Sequence, residues 1–313
     1  MNTETTKTQD RIDVVICTRN REASIEAAVR GVLANDHPDF TLTIIDQSTS
    51  DKTGSALRTL IDTDDRLRYV HVEEAGLSRA YNTGIALTSA DVLAFTDDDC
   101  VVPSDWISRI GAAFTSEPDG DLLYGQVVSL ETGDQSNLTP YFAIPHPEKL
   151  SKKTRFRVCG MGANFAARRR LFDSIGGFDV VLGGGGPLRS SQDFDLAYRA
   201  FRGDAVILLR PEVTLHHDGR RELEDWPTLL VNYGTGDGAF YTKHVRCGDP
   251  LAAWFMTKRV ARIAASSCVR LARRRDSNGF FYVKGVFAGI RGSFGFKVDR
   301  KKRMYLENAA PTS

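Results

Sequence analysis

Three adjacent carboxylates, Asp97-Asp98-Asp99, follow the β-rich run Asp91-Val-Leu-Ala-Phe-Thr96. Side by side they repel one another, a cost that a bound divalent cation relieves. In an extended or turn backbone Asp97 and Asp99 point the same way and can share one ligand, while Asp98 faces elsewhere. A separate carboxylate, Asp193, sits in Ser191-Gln-Asp-Phe-Asp195, in the first turn of a predicted helix behind a glycine-rich loop at 183–187. The helix dipole favours an anion there, and the position also suits a base that takes a hydroxyl proton. Asp195 lies two residues on and is spaced to pair with Arg199 at i+4. His216-His217 close a strand in which Val213 and Leu215 alternate. That period puts His217 on the face of Val213 and Leu215, and His216 opposite. Imidazole ligates a transition-type divalent metal whose other ligands are carboxylates, so either histidine is a candidate.

These residues need elements to hold them. Residues 11–96 alternate strand and helix patterns: strands at 11–17, 41–45, 67–72 and 91–96, with helical spacing at Ile25, Ala28, Val29, Val32 and Leu33, at Ala56, Leu57, Leu60 and Ile61, and over 78–89. Such alternation implies a parallel sheet covered on both faces, with ligands outside the strands' carboxyl ends where the strand order reverses. Trp106, Ile107, Ile110 and Phe114 form a further helical stripe, and 121–130 reads as a strand. An irregular region at 131–160 is expected to face substrate. A helix opens near Ser190 and Ser191, both suited to capping it. Strand-like segments at 205–209 and 213–217 follow, and the remainder is mainly helical.

An ordered set of motifs from about residue 11 to about 245 resembles the family 2 glycosyltransferases. It runs Val15-Ile-Cys-Thr-Arg-Asn20, Asp46-Gln-Ser-Thr-Ser-Asp51, Gly76-Leu-Ser-Arg-Ala-Tyr-Asn82-Thr-Gly84, Phe95-Thr-Asp-Asp-Asp-Cys100, Gly162-Ala-Asn-Phe165, Ile175-Gly-Gly-Phe-Asp179, Gln192-Asp-Phe-Asp-Leu196 and His217-Asp-Gly219. The resemblance implies a GT-A fold, a Rossmann-like, mostly parallel sheet flanked by helices. It also implies inverting transfer of a sugar from a nucleotide-diphosphate sugar donor to a hydroxyl of a glycan or lipid-linked acceptor, in polysaccharide or glycolipid assembly, with Mg²⁺ or Mn²⁺. Residue by residue, Asp46, with Thr18 and Arg19, would bind the nucleotide base, and Arg79 and Asn82 would help hold the donor. Asp97 and Asp98 would contact the nucleotide sugar, Asp99 and His217 the metal, and Asp193 would be the catalytic base. Residues 1–100 would then form the nucleotide-sugar half, 101–220 the metal and acceptor half of the same domain, and 221–313 a helical basic extension. Gln192 stands where relatives carry Glu, which keeps open a non-catalytic sugar-nucleotide-binding or scaffold protein.

Composition narrows the field further. The 42% hydrophobic and 26% charged content is that of a soluble globular chain. The five cysteines are scattered, without CxxC spacing, which argues against a disulfide framework and fits a reducing, cytoplasmic setting. The polar start MNTETTKTQD is no signal peptide, and no 18-residue apolar run suggests a membrane span. The first strand leads into Cys17-Thr-Arg-Asn-Arg-Glu-Ala rather than a GxGxxG loop, which argues against a nicotinamide dehydrogenase. Residues 251–313 carry 14 Lys/Arg against three acids, while 1–250 carry 27 against 37. The acidic body would repel nucleic acid. The basic tail, projected over 258–274 as a helix, gathers Val260, Ile263, Ala264, Cys268 and Leu271 on one side and Arg259, Arg262, Arg270 and Arg273 on the other. It is read either as packing its apolar side on the body or as peripheral attachment to an anionic membrane face.

Overall fold

A computed structural model describes residues 11–129, 141–154, 156–157, 160–219, 223–274 and 277–307. The first half runs β1 (Ile12–Thr18), α1 (Ile25–Leu33), β2 (Phe40–Asp46), α2 (Lys52–Thr63), β3 (Leu67–His71), α3 (Leu77–Leu87), β4 (Val92–Asp97), β5 (Cys100–Val101) and α4 (Trp106–Ser116). There follow β6 (Gly120–Ser129), β7 (Glu148–Leu150), β8 (Asn164–Arg168), α5 (Arg169–Ile175), α6 (Gln192–Arg202) and β9 (Val206–His217). The chain closes with α7 (Trp226–Arg246), α8 (Pro250–Ala272), α9 (Gly279–Ser293) and the hairpin β10 (Lys297–Asp299)–β11 (Met304–Leu306). Of the stretch expected to be irregular, residues 131–140, 155, 158 and 159 lie outside the described residues; the rest contains the short strand β7.

The sheet order is β3-β2-β1-β4-β8-β6-β9-β5, with β7 also on β9. β3, β2, β1 and β4 are mutually parallel, and β8 runs antiparallel to β4. Helices cover both faces, so β1 is buried along its whole length. Its period of two sends Ile12, Val14 and Ile16 into one core cluster, and Val15 and Cys17 into the other. The Rossmann-like α/β architecture expected from the sequence is therefore present. From β1 the chain builds outward through β2 and β3, then returns to the other side of β1 with β4. That reversal opens a crevice beyond the carboxyl ends of β1 and β4, where Cys17 pairs with Asp97.

The two strand segments read near 205–217 are one strand, β9. Its register against β6 jumps from Gly125↔Arg210 to Gln126↔Thr214, so the irregularity falls at Pro211, which has no N–H to give the ladder. The second half of β9 also pairs antiparallel with β5, Cys100 facing His217 and Val101 facing His216. This pairing carries the turn after β4 to His217.

A buried charge cluster locks the C-terminal helices onto α6. Asp195 accepts from Arg199 Nε at 2.8 Å, from Lys243 Nζ at 2.7 Å and from the His244 ring at 3.0 Å. Lys243 also reaches Asp179 at 2.6 Å, and the N–H of Tyr305 in β11 donates to the same carboxylate at 2.8 Å. The expected Asp195–Arg199 pair is thus one edge of a larger network. α8 turns differently from its sequence projection. Arg259 points inward to Asp237, Nε to Oδ2 at 2.9 Å, while Cys268 and Leu271 are exposed. Its buried positions are Ala252 and Ser267.

Candidate active site

Asp97 ends β4, and Asp98 and Asp99 form the turn into β5. The turn separates them. Asp98 swings to β1, where Thr18 Oγ1 donates to its Oδ2 at 2.6 Å. Asp97 and Asp99 stay together with Cys100 and His217, one ligand atom from each lying within 4.8 Å of the others. His217 Nε2 stands 3.6 Å from Asp99 Oδ1, too long for a hydrogen bond and close to the separation of two ligands on one ion. Of the two histidines, His217 joins this group; it is buried on the strand face it shares with Val213 and Leu215.

Burial pushes the Asp97 carboxyl up to about 7, helped by the charges of Asp99 and Asp98. Burial likewise raises Asp98, to about 6, against the opposing hydrogen bond from Thr18. A divalent cation at this point would relieve that repulsion, and two carboxylate oxygens with an imidazole form a donor set suited to Mg²⁺ or Mn²⁺. The Cys100 thiol, by contrast, is pushed up by burial and the neighbouring Asp97 and Asp99, and its soft sulfur suits Mg²⁺ or Mn²⁺ less well than oxygen does. His217 Nδ1 accepts the Gly219 N–H at 2.8 Å. For Nε2 to present its lone pair to a metal, Nδ1 must carry the ring proton, so a His217-bound ion requires Gly219 to swing off Nδ1.

Asp193 is held differently. Its Oδ2 accepts the Gly162 N–H at 3.0 Å and its Oδ1 the Phe194 N–H at 2.9 Å. Burial raises its carboxyl to about 6, against these two N–H groups. Ser191, before the helix, has a left-handed backbone (φ 69°) and gives its hydroxyl to Asp237 at 2.7 Å rather than capping α6. A cleft of about 1030 Å³ has both Asp97 and Asp193 in its wall. One member of the carboxylate pair that could hold a cation, Asp97, thus shares this cleft with a carboxylate outside that pair, Asp193.

The other sequence candidates divide. Thr18 is engaged with Asp98, and Arg19 is exposed beside it. Asp46 is buried, accepting from the Ser48 N–H at 2.8 Å and the Tyr69 hydroxyl at 2.5 Å. Arg79 pairs with Glu74 at 3.0 Å and with Glu307 from the C-terminal hairpin. Asn82 spends its amide on the backbone of Phe178, donating at 2.9 Å and accepting at 2.7 Å, which makes it a brace between α3 and the loop after α5.

Three side chains at the site escaped sequence reasoning. Tyr81 stands over the carboxylates, its hydroxyl 3.4 Å from Asp97 Oδ1 and its ring edge-on to Phe95 at 5.5 Å. Arg21 reaches Asp99 at 3.8 Å, and the Tyr124 hydroxyl donates to the Asp193 carbonyl at 3.3 Å. Tyr81 lies inside a quoted motif, one residue before Asn82; Arg21 and Tyr124 carry no local signal, because their partners are distant in sequence.

The profile of Glycosyl transferase family 2 matches residues 13–176. A glucosyl-dolichyl phosphate glucuronosyltransferase of Haloferax volcanii is 26% identical over 179 residues, 55% of this chain and 57% of that protein. A pre-mycofactocin glycosyltransferase of Mycobacterium tuberculosis is 25% identical over 59% of this chain and 41% of its own length. The chain thus spans about half the length of the curated relatives it matches. Among solved structures, the mannosyltransferase PcManGT from Pyrobaculum calidifontis, in complex with GDP-Man and Mn²⁺, superposes with a TM-score of 0.62 at 16% identity, over 92% of this chain and 88% of that one. S. aureus TarS 1–349 in complex with UDP-GlcNAc superposes with a TM-score of 0.53 at 16% identity, over 71% and 66%. These likenesses concern the fold.

Proposed function

The chain belongs to glycosyl transferase family 2, and from that premise we propose that it moves a sugar, with inversion, from a nucleotide-diphosphate sugar to a hydroxyl of a glycan or lipid-linked acceptor. The observation that carries this reading is the shared cleft, in which Asp97 marks the metal-binding turn while Asp193 stands apart from it. The acceptor oxygen bonds to the anomeric carbon from the face opposite the diphosphate, and Asp193 takes its proton. The electron pair of the broken carbon–oxygen bond leaves with the diphosphate. Asp97, Asp99 and His217 would hold a divalent metal, which when bound would neutralise that departing charge. Asp98, held by Thr18, faces the nucleotide with Arg19. Asp46, its carboxylate already engaged by Ser48 and Tyr69, shapes the base pocket, and Arg79 and Asn82 hold the donor side in place. Labour divides along the chain: residues 1–100 take the donor and bring Asp97 and Asp99 to the metal, 101–220 add His217 and take the acceptor, and 221–313 form a basic extension.

The extension supports cytoplasmic, peripheral work at an anionic membrane. No helix among the described residues is long and apolar enough to cross one. Yet Trp254, Leu271, Phe287 and Phe294 stand 58, 54, 65 and 67% exposed on or beside α8 and α9, two helices that contain no acidic residue. Exposed apolar groups on helices that carry basic residues and no acid suit the headgroup region, at about 1 kcal/mol per basic residue near the lipid.

A thermal-shift panel of nucleoside diphosphates with Mn²⁺, Mg²⁺ or EDTA tests the core of the proposal. Stabilisation by one base, present with metal and absent with EDTA, is the expected result; no shift with any nucleotide contradicts it.

A further inference from the structure

The cleft extends well past the catalytic carboxylates to α8 and the start of α9, beyond the stretch matched to the family. Arg262, Ser266 and Arg270 line this far arm. At i, i+4 and i+8 they share one helix face, and the two arginines are about 12 Å apart along the axis. Long guanidinium side chains from both ends can converge on a group lying over Ser266. Asn278 and Gly279, which open α9, line the same arm and add the positive end of a helix dipole.

Among the described residues that line this arm, the charge is mostly positive. Asp237 is its acid, and Arg259 and the Tyr282 hydroxyl already engage that carboxylate at 2.9 and 2.7 Å. The other acids on the cleft wall, Asp97 and Asp193, belong to the catalytic end. Arg262 makes no ion pair or hydrogen bond with any described residue. A neutral glycan needs no such arrangement. Planar guanidinium groups flanking a hydroxyl match the paired oxygens of a phosphate or diphosphate.

Resting on the transfer reading above, we propose that this arm is a phosphate-recognition subsite for the acceptor, in which Arg262, Ser266 and Arg270 hold a phosphate or diphosphate ester whose attached hydroxyl reaches Asp193. The shared chemistry is the phosphorylated ester; a lipid or a free sugar phosphate can bring it.

Calorimetry of the full chain in EDTA, where the metal turn cannot bind a diphosphate through a cation, tests the subsite with three probes: geranyl diphosphate, glucose 1-phosphate and geraniol. The phosphorylated probes should bind and geraniol should not. Tighter binding of geranyl diphosphate assigns a lipid source, and tighter binding of glucose 1-phosphate a soluble one. Arg262→Ala/Arg270→Ala should weaken the preferred probe by about tenfold or more, the loss expected for charge-assisted contacts. Both side chains are exposed, so the variant should keep the parent's melting temperature and its affinity for a nucleoside diphosphate with Mn²⁺. Absence of phosphate binding, equal binding of geraniol, or affinity unchanged in the double variant overturns the subsite. Failure of the parent to bind any nucleoside diphosphate with Mn²⁺ would instead overturn the transfer reading, and leave arginine-dependent phosphate binding standing.

Discussion

The backbone N–H of Gly162 points at Oδ2 of Asp193 across 3.0 Å, joining the entry to β8 to the first turn of α6. A Cβ at Gly162 would lie 3.4 Å from that oxygen, in ordinary van der Waals contact, so the approach does not depend on the missing side chain. Two N–H groups favour the ionised form while burial opposes it, and burial wins, leaving Asp193 at about 6.

The pH dependence of transfer follows. A base must be ionised, so kcat should be high above about 6 and fall roughly tenfold per unit as pH drops below it. Rates measured from pH 4.5 to 8.5 at saturating donor and metal check this. A flat profile through 6 contradicts it.

The acid turn should cost stability when no metal is bound. Asp97 and Asp98 are raised in the folded state, to about 7 and 6, so folding favours their protonated forms. That contribution is present at low pH and lost as pH rises from the ordinary carboxylate range through about 7. Asp97→Asn should therefore melt a few degrees higher than the parent at pH 8 in EDTA, with the gap closing at pH 4, and Mn²⁺ should raise the melting temperature of the parent alone. Scanning calorimetry decides it, and an identical Mn²⁺ response in both proteins removes Asp97 from the metal site.

Asp195 should behave as a structural residue, although it lies two positions from Asp193. It is wholly buried and compensates Arg199 and Lys243. Asp195→Asn leaves cations without their partner and should cost about 3–5 kcal/mol in urea unfolding. Stability unchanged by this substitution would show that the network does not lock α6.

Much of the site was legible because it depends on local periods. The rhythm of β1 to β4 placed Asp97–Asp99 at a strand end, and strand parity put His217 on the face of Leu215. The rest depends on contacts between distant segments. The turn of α8 was misread because Asp237, on another helix, draws Arg259 inward, and no hydrophobic count along α8 contains that attraction. Asn82 is assigned to the donor by resemblance; its two hydrogen bonds to the backbone of Phe178, 96 residues away, have no signal in the local sequence. β9 appeared as two segments because Pro211 interrupts the pattern within a strand that continues past it.

The exposed apolar residues of the extension give a membrane test. The chain should float with vesicles of anionic lipid at low salt and be released as salt rises. Leu271→Ser/Phe287→Ser/Phe294→Ser should weaken flotation without unfolding, since all three side chains already face solvent. Equal flotation of parent and variant, or none at any salt, contradicts attachment through these residues.

The division of labour between Asp193 and the metal turn is tested most directly by Asp193→Asn, with donor affinity and transfer measured on the same protein. Donor binding with Mn²⁺ should match the parent, while transfer falls by about 10²–10⁴-fold, the usual contribution of a positioned base. Loss of nucleotide affinity with turnover retained would contradict the assignment of Asp193 as the base.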